Sequence, residues 1–266
     1  MDMKEIAARG LVLLGCGKMG GAMLAGWLAE GLSPEAVTVL DPAPSDWLKS
    51  LKGVKLNTDL PESPAVAIIA VKPQMMGDAL PALKALGGET VFVSIAAGTP
   101  IAAFEAALGD VPVVRAMPNT PAAVGRGISA VIGNAAVSAE QLDMACDLLS
   151  AVGEVVRLEN EDQIDAVTGV SGSGPAYVFH MIEALASAGE AQGLAPEMAM
   201  KLARATVCGA GELAYQDAAS AEQLRVNVTS PNGTTQAGLE VLMGELPDLM
   251  QRTVEAATKR AKELRS

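Results

Sequence analysis

The sequence predicts an α/β protein in two parts, a doubly wound and mainly parallel sheet over residues 1–160 followed by an all-helical domain over residues 161–266. Three observations carry this. Apolar strand-like runs alternate with helical segments through the first half, the pattern of parallel strands joined by helical crossovers. A glycine-rich turn links the first of these runs to the first helical pattern. Beyond about Asn160 the strand runs stop, and the remaining segments read as successive helices punctuated by Gly and Pro.

In order, the strand runs fall at residues 11–14, 37–41, 65–71, 91–95 and 111–117. Short apolar runs at 128–132 and 154–157 flank a helical pattern over residues 138–151 and complete the sheet. The later helices read as ENEDQIDAVTG, SGSGPAYVFHMIEALASAGEAQGL, APEMAMKLARATVCGAGELAY and ELPDLMQRTVEAATKRAKELR. Their abundant alanine indicates close helix packing, not a low-complexity linker.

The turn after the first strand is LVLLGCGKMGGAML, with Gly15, Gly17 and Gly20 in G-x-G-x-x-G spacing. Gly15 allows a sharp turn, Gly17 lets the backbone approach a pyrophosphate, and Gly20 permits close packing of helix on strand. The motif alone is weak evidence. Here it follows a strand, opens a helix and precedes a second strand, VTVL, ending in Asp41. That is about twenty residues past the last glycine, where a carboxylate can accept from both ribose hydroxyls. The unit therefore reads as a Rossmann-type dinucleotide-binding domain.

Other strand ends carry small or polar residues on the edge where such a sheet places its ligand: Lys72, Pro73 and Gln74; Ala96, Ala97 and Gly98; Pro118, Asn119, Thr120 and Pro121. Each could be a plain β–α turn. Several on the same edge as the glycine loop favour a cofactor groove.

Composition narrows the function classes. A formal charge of −12 argues against nucleic acid or an anionic membrane as partner. Any anionic substrate must then be held by local N–H groups and dipoles. The chain's 266 residues, 50% hydrophobic, suffice for two cores. Cys16, Cys146 and Cys208 are odd in number and lack metal-ligand spacing, which fits reduced thiols in a cytoplasm and no metal. The opening MDMKEIAARG lacks a signal-peptide core, and the longest apolar run, residues 65–71, is too short to span a bilayer.

Near the C-terminus, VTSPNGTTQAGLE packs hydroxyls and turn formers immediately ahead of a helical pattern. A helix start of this kind offers unpaired N–H groups and a positive dipole end to a carboxylate or phosphate, with Ser230, Thr234 and Thr235 as added donors. The simpler alternative is a capped helix start, since Ser, Thr and Asn favour caps.

Taken together, GCGKMG, AVKPQ, SIAAG, RAMPNTPAAVGRG, DAVTGVSGSGPAY and VTSPNGTTQAGLE run through nearly the whole chain in one order. In these segments the chain resembles the pyrroline-5-carboxylate reductases. The resemblance implies reduction of the cyclic imine 1-pyrroline-5-carboxylate to proline with NADPH or NADH, the last step of proline biosynthesis, and a helical domain that forms an intertwined homodimer, in some members a ring of dimers. It implies the pyrophosphate over Gly15, Cys16, Gly17, Lys18, Met19 and Gly20, the adenosine ribose near Asp41, and a cofactor contact at Asn57. Ala70, Val71, Lys72, Pro73, Ala97 and Asn119 would line the rest of the cofactor groove, with Asn227 reaching in from the helical domain. Ser230, Asn232, Gly233, Thr234 and Thr235 would hold the substrate carboxylate beside Ser173, and Thr235 and Thr168 are the hydroxyls assigned to the reacting centre. The chain departs from the family pattern at Lys18, where many members have Asn, and at Asn232, where Gly is usual.

This chemistry needs little acid–base equipment. A five-membered cyclic imine is basic enough to be partly protonated near neutrality, and its iminium carbon is already a hydride acceptor. Catalysis is expected to be mainly orientation, with the imine carbon about 3 to 3.5 Å from the nicotinamide carbon. Thr235 is expected to position the ring nitrogen more than to protonate it, because an unperturbed alcohol is a poor acid. His180, the only histidine, reads as a packing or surface residue, and Met181, Ile182, Met198 and Met200 as core or interface filler.

Two rivals share the architecture. β-Hydroxyacid dehydrogenases place a catalytic Lys on the first long helix of the second domain, where this chain has GPAYVFHMIEAL without one. A dinucleotide-sensing dimer would have no evident need of the carboxylate-binding turn. Asp41, with no Arg or Lys in the following PAPSDW, predicts a preference for NADH. The apolar helices after Asn160 predict an obligate homodimer.

Overall fold

The structure, a computed structural model, describes residues 4–265. Residues 1–3, the start of the N-terminal run considered above, lie outside the described residues. In chain order the elements are α1 (Lys4–Arg9), β1 (Leu11–Leu14), α2 (Lys18–Ala29), β2 (Val37–Leu40), α3 (Asp46–Ser50), β3 (Lys55–Leu56), β4 (Val66–Ile69), α4 (Met76–Ala79), β5 (Val91–Ser94), α5 (Ile101–Leu108), β6 (Val113–Met117), β7 (Gly127–Gly133), α6 (Ala139–Ser150) and β8 (Gly153–Arg157). Helices α7 (Gln163–Val167), α8 (Gly174–Ala191), α9 (Pro196–Gln216), α10 (Ala221–Asn227) and α11 (Thr234–Arg265) follow.

The strands form one sheet in the order β3-β2-β1-β4-β5-β6-β7-β8. The residues of β1, β4 and β5 are all buried, as strands covered on both faces must be, which explains their unbroken apolar runs. From β1 the chain winds outward through β2 and β3, then returns to place β4 on the other side of β1, both neighbours parallel. That reversal opens a crevice beyond the carboxyl ends of β1 and β4, where doubly wound sheets bind their ligands. One face is packed by Met23, Leu24 and Trp27 of α2 with Leu148 of α6, the other by Leu83, Phe104 and Leu108. Trp27 donates its indole N–H to the Leu148 carbonyl at 2.8 Å, joining α2 to α6 within the first layer.

Several features differ from the sequence reading. Strand β7 is antiparallel to β6, and β8 is parallel to β7. The link between β6 and β7 carries only a 3-10 turn, Thr120–Val124, and lacks the crossover that a parallel neighbour requires. Strand β3 and helices α1 and α10 were not anticipated. The segment ELPDLMQRTVEAATKRAKELR is not a separate helix, since α11 starts at Thr234 and passes through Pro247.

Two compact units emerge. One holds the sheet to Gly172 together with the stretch from Ala257 onward, and the other is Ser173–Ala256. The division thus falls later than residue 160, and the end of the last helix groups with the sheet. Within the second unit, α8 and α9 pack through Ile182, Ala186, Ala199 and Ala203. Among the described residues no helix is long and apolar enough to cross a membrane.

Candidate functional site

The glycine turn is built as the motif requires. Gly15 has φ +89°, and a methyl group there would lie 2.9 Å from Val71 Cγ1 and 3.0 Å from the Ala70 carbonyl oxygen. A methyl on Gly20 would lie 2.5 Å from the Gly15 carbonyl oxygen, so helix and turn touch through backbone. Gly17 is the opposite case. It is the N-cap of α2 with no side-chain cap, and nothing in the protein lies within 4 Å of where its methyl would point. The first N–H groups of α2 therefore keep their anion-binding capacity.

This turn opens onto a groove of about 590 Å³, lined among others by Gly17, Lys18, Asp41, Ser45, Trp47 and Lys72. An adjoining recess of about 320 Å³ shares Asp41, Pro42, Val71 and Met75 with the groove and adds Leu14, Leu40 and Ala79. An apolar recess beside an anion-binding helix start fits the adenosine and pyrophosphate of a dinucleotide.

Asp41 joins the two spaces. Its Oδ2 accepts the Cys16 backbone N–H at 2.7 Å and its Oδ1 accepts the Ala43 N–H at 2.8 Å. Each oxygen keeps a lone pair for a further donor. Asn57, at φ +52°, clips the same residue, accepting the Asp41 N–H at 2.9 Å and donating to the Asp41 carbonyl at 2.8 Å. Its amide thus sets the backbone of Asp41 while its edge lines the recess. The Cys16 thiol is pushed up to about 11 by burial, with the Asp41 charge adding to the effect.

The other expected groove residues divide into two groups. Ala70, Val71 and Lys72 line the groove, and Lys72 precedes the short 3-10 turn that Pro73 begins. Ala97 is exposed on the turn after β5, and Met19 is half-buried against the core below the glycine turn. Asn119 is a staple: its Oδ1 accepts the Ile128 N–H at 2.9 Å and its Nδ2 donates to the Ser171 carbonyl at 3.2 Å. Half of its hydrogen-bonding capacity is thereby spent inside the fold, one bond going to β7 and one to Ser171.

In the Ser173–Ala256 unit, residues 230–235 form a tight turn into α11. The Gly233 N–H donates to the Ser230 carbonyl at 3.0 Å, Asn232 is left-handed at φ +58°, and its N–H donates to Gln236 Oε1 at 2.8 Å. Gln236 thus reaches back to the turn. Neither Thr234 nor Thr235 donates to another described residue, so their hydroxyls are not used as caps. Asn227, at the end of α10, accepts from Gln223 Nε2 at 2.7 Å. Ser173 opens α8 without a side-chain cap. Thr168, in the other unit, starts a π-helical stretch, Thr168–Gly172, and donates its hydroxyl to the Ile164 carbonyl at 2.8 Å. With its proton so placed it is a poor donor to a substrate. His180 is exposed, its Nδ1 3.0 Å from Glu183 Oε2.

Sequence reasoning missed Pro42, Trp47 and Met75 in the groove wall. A tryptophan in a polar stretch just past Asp41 was the available signal. It also missed the pair Arg115–Glu161, 2.6 Å apart with Arg115 buried. Among the described residues no group of His, Cys, Asp or Glu side chains is placed to hold a metal ion.

Comparison with known proteins gives concordant matches. Residues 161–264 match the family model for pyrroline-5-carboxylate reductase dimerisation, and residues 10–98 match the model for NADP oxidoreductase, coenzyme F420-dependent. The chain is 40% identical over 262 residues to a pyrroline-5-carboxylate reductase of Pseudomonas aeruginosa, covering 96% of each. The solved pyrroline-5-carboxylate reductase of Coxiella burnetii superposes with a TM-score of 0.91 at 36% identity, over 97% of this chain and 99% of that one. The pyrroline carboxylate reductase of Plasmodium falciparum, solved with NADP bound, gives 0.81 at 28% identity over 97% and 98%.

Proposed function

Because the chain belongs to the pyrroline-5-carboxylate reductase family, we propose that it reduces 1-pyrroline-5-carboxylate to proline with NADPH or NADH. The single observation that carries this beyond the family is the glycine turn itself, whose helix α2 has Gly17 as its N-cap with no side-chain cap and so suits a pyrophosphate. NADH or NADPH, when bound, would supply a hydride to the imine carbon and leave as NAD+ or NADP+, the ring nitrogen keeping the proton it carries as the iminium.

The chain's own residues bind and orient. The turn from Gly15 to Gly20 receives the pyrophosphate on the N–H groups at the start of α2, those of Gly15 and Cys16 being bonded to Leu40 and Asp41, and Asp41 takes the ribose hydroxyls. Val71, Lys72 and Ala97 line the nicotinamide side. Asn57 acts through Asp41, and Asn119 through the placement of the β6–β7 link. In the helical domain, here taken as residues 161–266 with the sheet domain as 1–160, Thr234 and Thr235 hold the substrate carboxylate, and Asn232 and Gly233, whose N–H groups bond Gln236 and Ser230, shape the turn that presents them. Ser230 and Ser173 shape the pocket, and Asn227 contributes to the cofactor side. Thr235 is the hydroxyl assigned to the reacting centre. Thr168 is assigned the neighbouring wall, its proton being committed to Ile164.

The working form is a homodimer in the cytoplasm, and a ring of dimers is a further assembly open to this family. Val178, Phe179, Met181, Leu185, Met198 and Leu202 are all more than a third exposed on α8 and α9 of the single chain, a patch that calls for a partner surface. The deciding assay follows oxidation of NADH or NADPH by the purified protein with pyrroline-5-carboxylate, against a panel of 3-hydroxy acids with the oxidised cofactor. Turnover of the imine alone supports the proposal. Turnover of a hydroxy acid, or of neither, rejects it.

A further inference from the structure

The turn between β5 and α5 carries Ala97 and Gly98, and its flanks are held by residues far away in sequence. A methyl on Gly98, whose φ is +74°, would lie 3.1 Å from the Leu264 carbonyl oxygen and 3.5 Å from Leu264 Cβ, so the last turn of α11 lies directly against it. On the other flank, Ile101 opens α5 with its N–H donated to Glu161 Oε1 at 2.9 Å. The same oxygen accepts from Arg115 Nη1 at 2.6 Å. Pro100, the N-cap of α5, offers no side-chain cap, so Glu161 takes that place.

Arg265 closes the circuit. Its Nη1 donates to Asp162 Oδ1 at 2.8 Å and lies 3.5 Å from Asp165 Oδ2. The Asp165 side chain is 2% exposed, and that oxygen has no hydrogen-bond partner among the described residues. Arg265 thus sets a positive charge beside a buried carboxylate oxygen that has no hydrogen-bond partner among the described residues. Glu161, Asp162 and Asp165 lie on one short stretch, which is bound to the start of α5 at one side and to the end of α11 at the other.

We propose that Leu264 and Arg265 form a clasp that positions the residue 95–98 turn, and that Arg265 is a positioning residue for the reductase reaction. The role in the reaction rests on the assignment of Ala97 to the nicotinamide side, whereas the clasp itself does not. Leu264 limits the turn sterically at Gly98, and the Arg265 ion pair holds Leu264 and the Glu161 stretch in register. An unclasped turn would leave the groove of the glycine turn and Asp41 intact while loosening the Ala97 turn assigned to the nicotinamide side.

The test compares Arg265→Met, which keeps the aliphatic stem, with Arg265→Lys and with Asp162→Asn, whose site is exposed enough to be tolerated. Amide hydrogen exchange is read at Ile95, Ala96 and Ile101 in the protein without cofactor, and the strands β1 and β2 serve as reference. Loss of one charge-assisted hydrogen bond predicts exchange about tenfold faster at these amides in Arg265→Met, less in Asp162→Asn, with β1 and β2 unchanged and substantial rescue by Lys. In the reductase assay, kcat should fall with the NADH dissociation constant held within about twofold, since the adenosine contacts are untouched. Unchanged exchange at the three amides overturns the clasp. Equal acceleration throughout the sheet also overturns it, because it would show general destabilisation. A protein without reductase activity but with the local exchange signature would reject the proposed function and leave the clasp standing.

Discussion

Asp41 Oδ2 accepts the backbone N–H of Cys16 at 2.7 Å, so the carboxylate at the end of β2 is fastened to the glycine turn at the end of β1. The bond gives Asp41 two tasks. It braces the turn and it holds a negative charge between the pyrophosphate groove and the adenosine recess.

A fixed carboxylate there accepts from a 2′-hydroxyl and repels a 2′-phosphate. NADH should therefore exceed NADPH in kcat/KM by about tenfold or more, an effect of about 1.4 kcal/mol. Asp41→Asn keeps the shape but sets its NH2 against the Cys16 or the Ala43 N–H, so it should narrow the gap while also weakening NADH. Steady-state kinetics with both nucleotides decide the matter, and an NADPH advantage in the wild-type protein would refute the assignment.

Gly17 and Gly20 should respond oppositely to alanine. At Gly20 the methyl meets the Gly15 carbonyl oxygen at 2.5 Å, and overpacking of this kind costs about 1–3 kcal/mol. At Gly17 the methyl meets no protein atom within 4 Å but enters the groove. Gly17→Ala should keep its melting temperature and lose about tenfold or more in NADH affinity by fluorescence titration. If Gly17→Ala binds NADH normally, the helix start is not where the pyrophosphate sits.

What could be read from the chain alone follows from the range of each signal. The apolar runs of β1, β4 and β5 are local and continuous, so they and the glycine turn were legible. Strand β3 spans only Lys55 and Leu56, too short for any periodicity to emerge. The direction of β7 depends on how the chain returns after Met117, which no residue within the strand encodes. Asn119 illustrates the point: as a polar residue at a strand end it read as a ligand, and nothing local foretold that its amide also ties Ile128 of β7 to Ser171. The segment from Glu245 read as a helix of its own because Pro usually punctuates helices, but α11 carries Pro247 in its interior. The Thr234–Thr235 turn was legible as a choice between cap and anion site, and only the structure showed Gln236, not a Thr hydroxyl, bonded to the Asn232 N–H.

Glu161 should be a strong point of stability. Arg115 is 2% exposed and bonded to Glu161 at 2.6 Å, so Glu161→Leu leaves a buried guanidinium without its carboxylate. Breaking a buried pair costs about 3–5 kcal/mol, and the low end applies because Glu161 keeps some exposure. Urea unfolding should show a loss of about 3 kcal/mol in Glu161→Leu and much less in Glu161→Gln, which retains the acceptor, or in Arg115→Met combined with Glu161→Leu. Equal losses in the Leu and Gln variants would contradict this reading.

Cys16 should place an alkaline limit on stability. Its thiol lies at about 11 in the fold against 9.0 as the reference, so the native state holds a proton that the unfolded chain releases first. The contribution is fully present below pH 9 and is lost as pH rises toward 11. Cys16→Ala should show a shallower fall in melting temperature across that window, whatever its packing cost at neutral pH. Identical slopes for the two proteins would mean that the thiol does not titrate late.

Thr235 carries the sharpest test of the substrate site. Its hydroxyl is exposed at the start of α11, free of any described partner, while the Gly233 N–H is already used by Ser230. Replacing Thr235 by Val keeps the volume and removes one hydrogen bond to a charged group, worth about 1.5–3 kcal/mol. If the hydroxyl holds the carboxylate equally in ground and transition states, KM for the imine should rise about 10- to 150-fold with kcat nearly intact. If it also aligns the ring nitrogen, kcat falls as well, and the split between the two parameters reports which role dominates. NADH affinity should stay close to wild type in either case, because the residues assigned to pyrophosphate and ribose are unchanged. Wild-type kcat/KM for the imine in Thr235→Val would show that this helix start serves the fold and not the substrate.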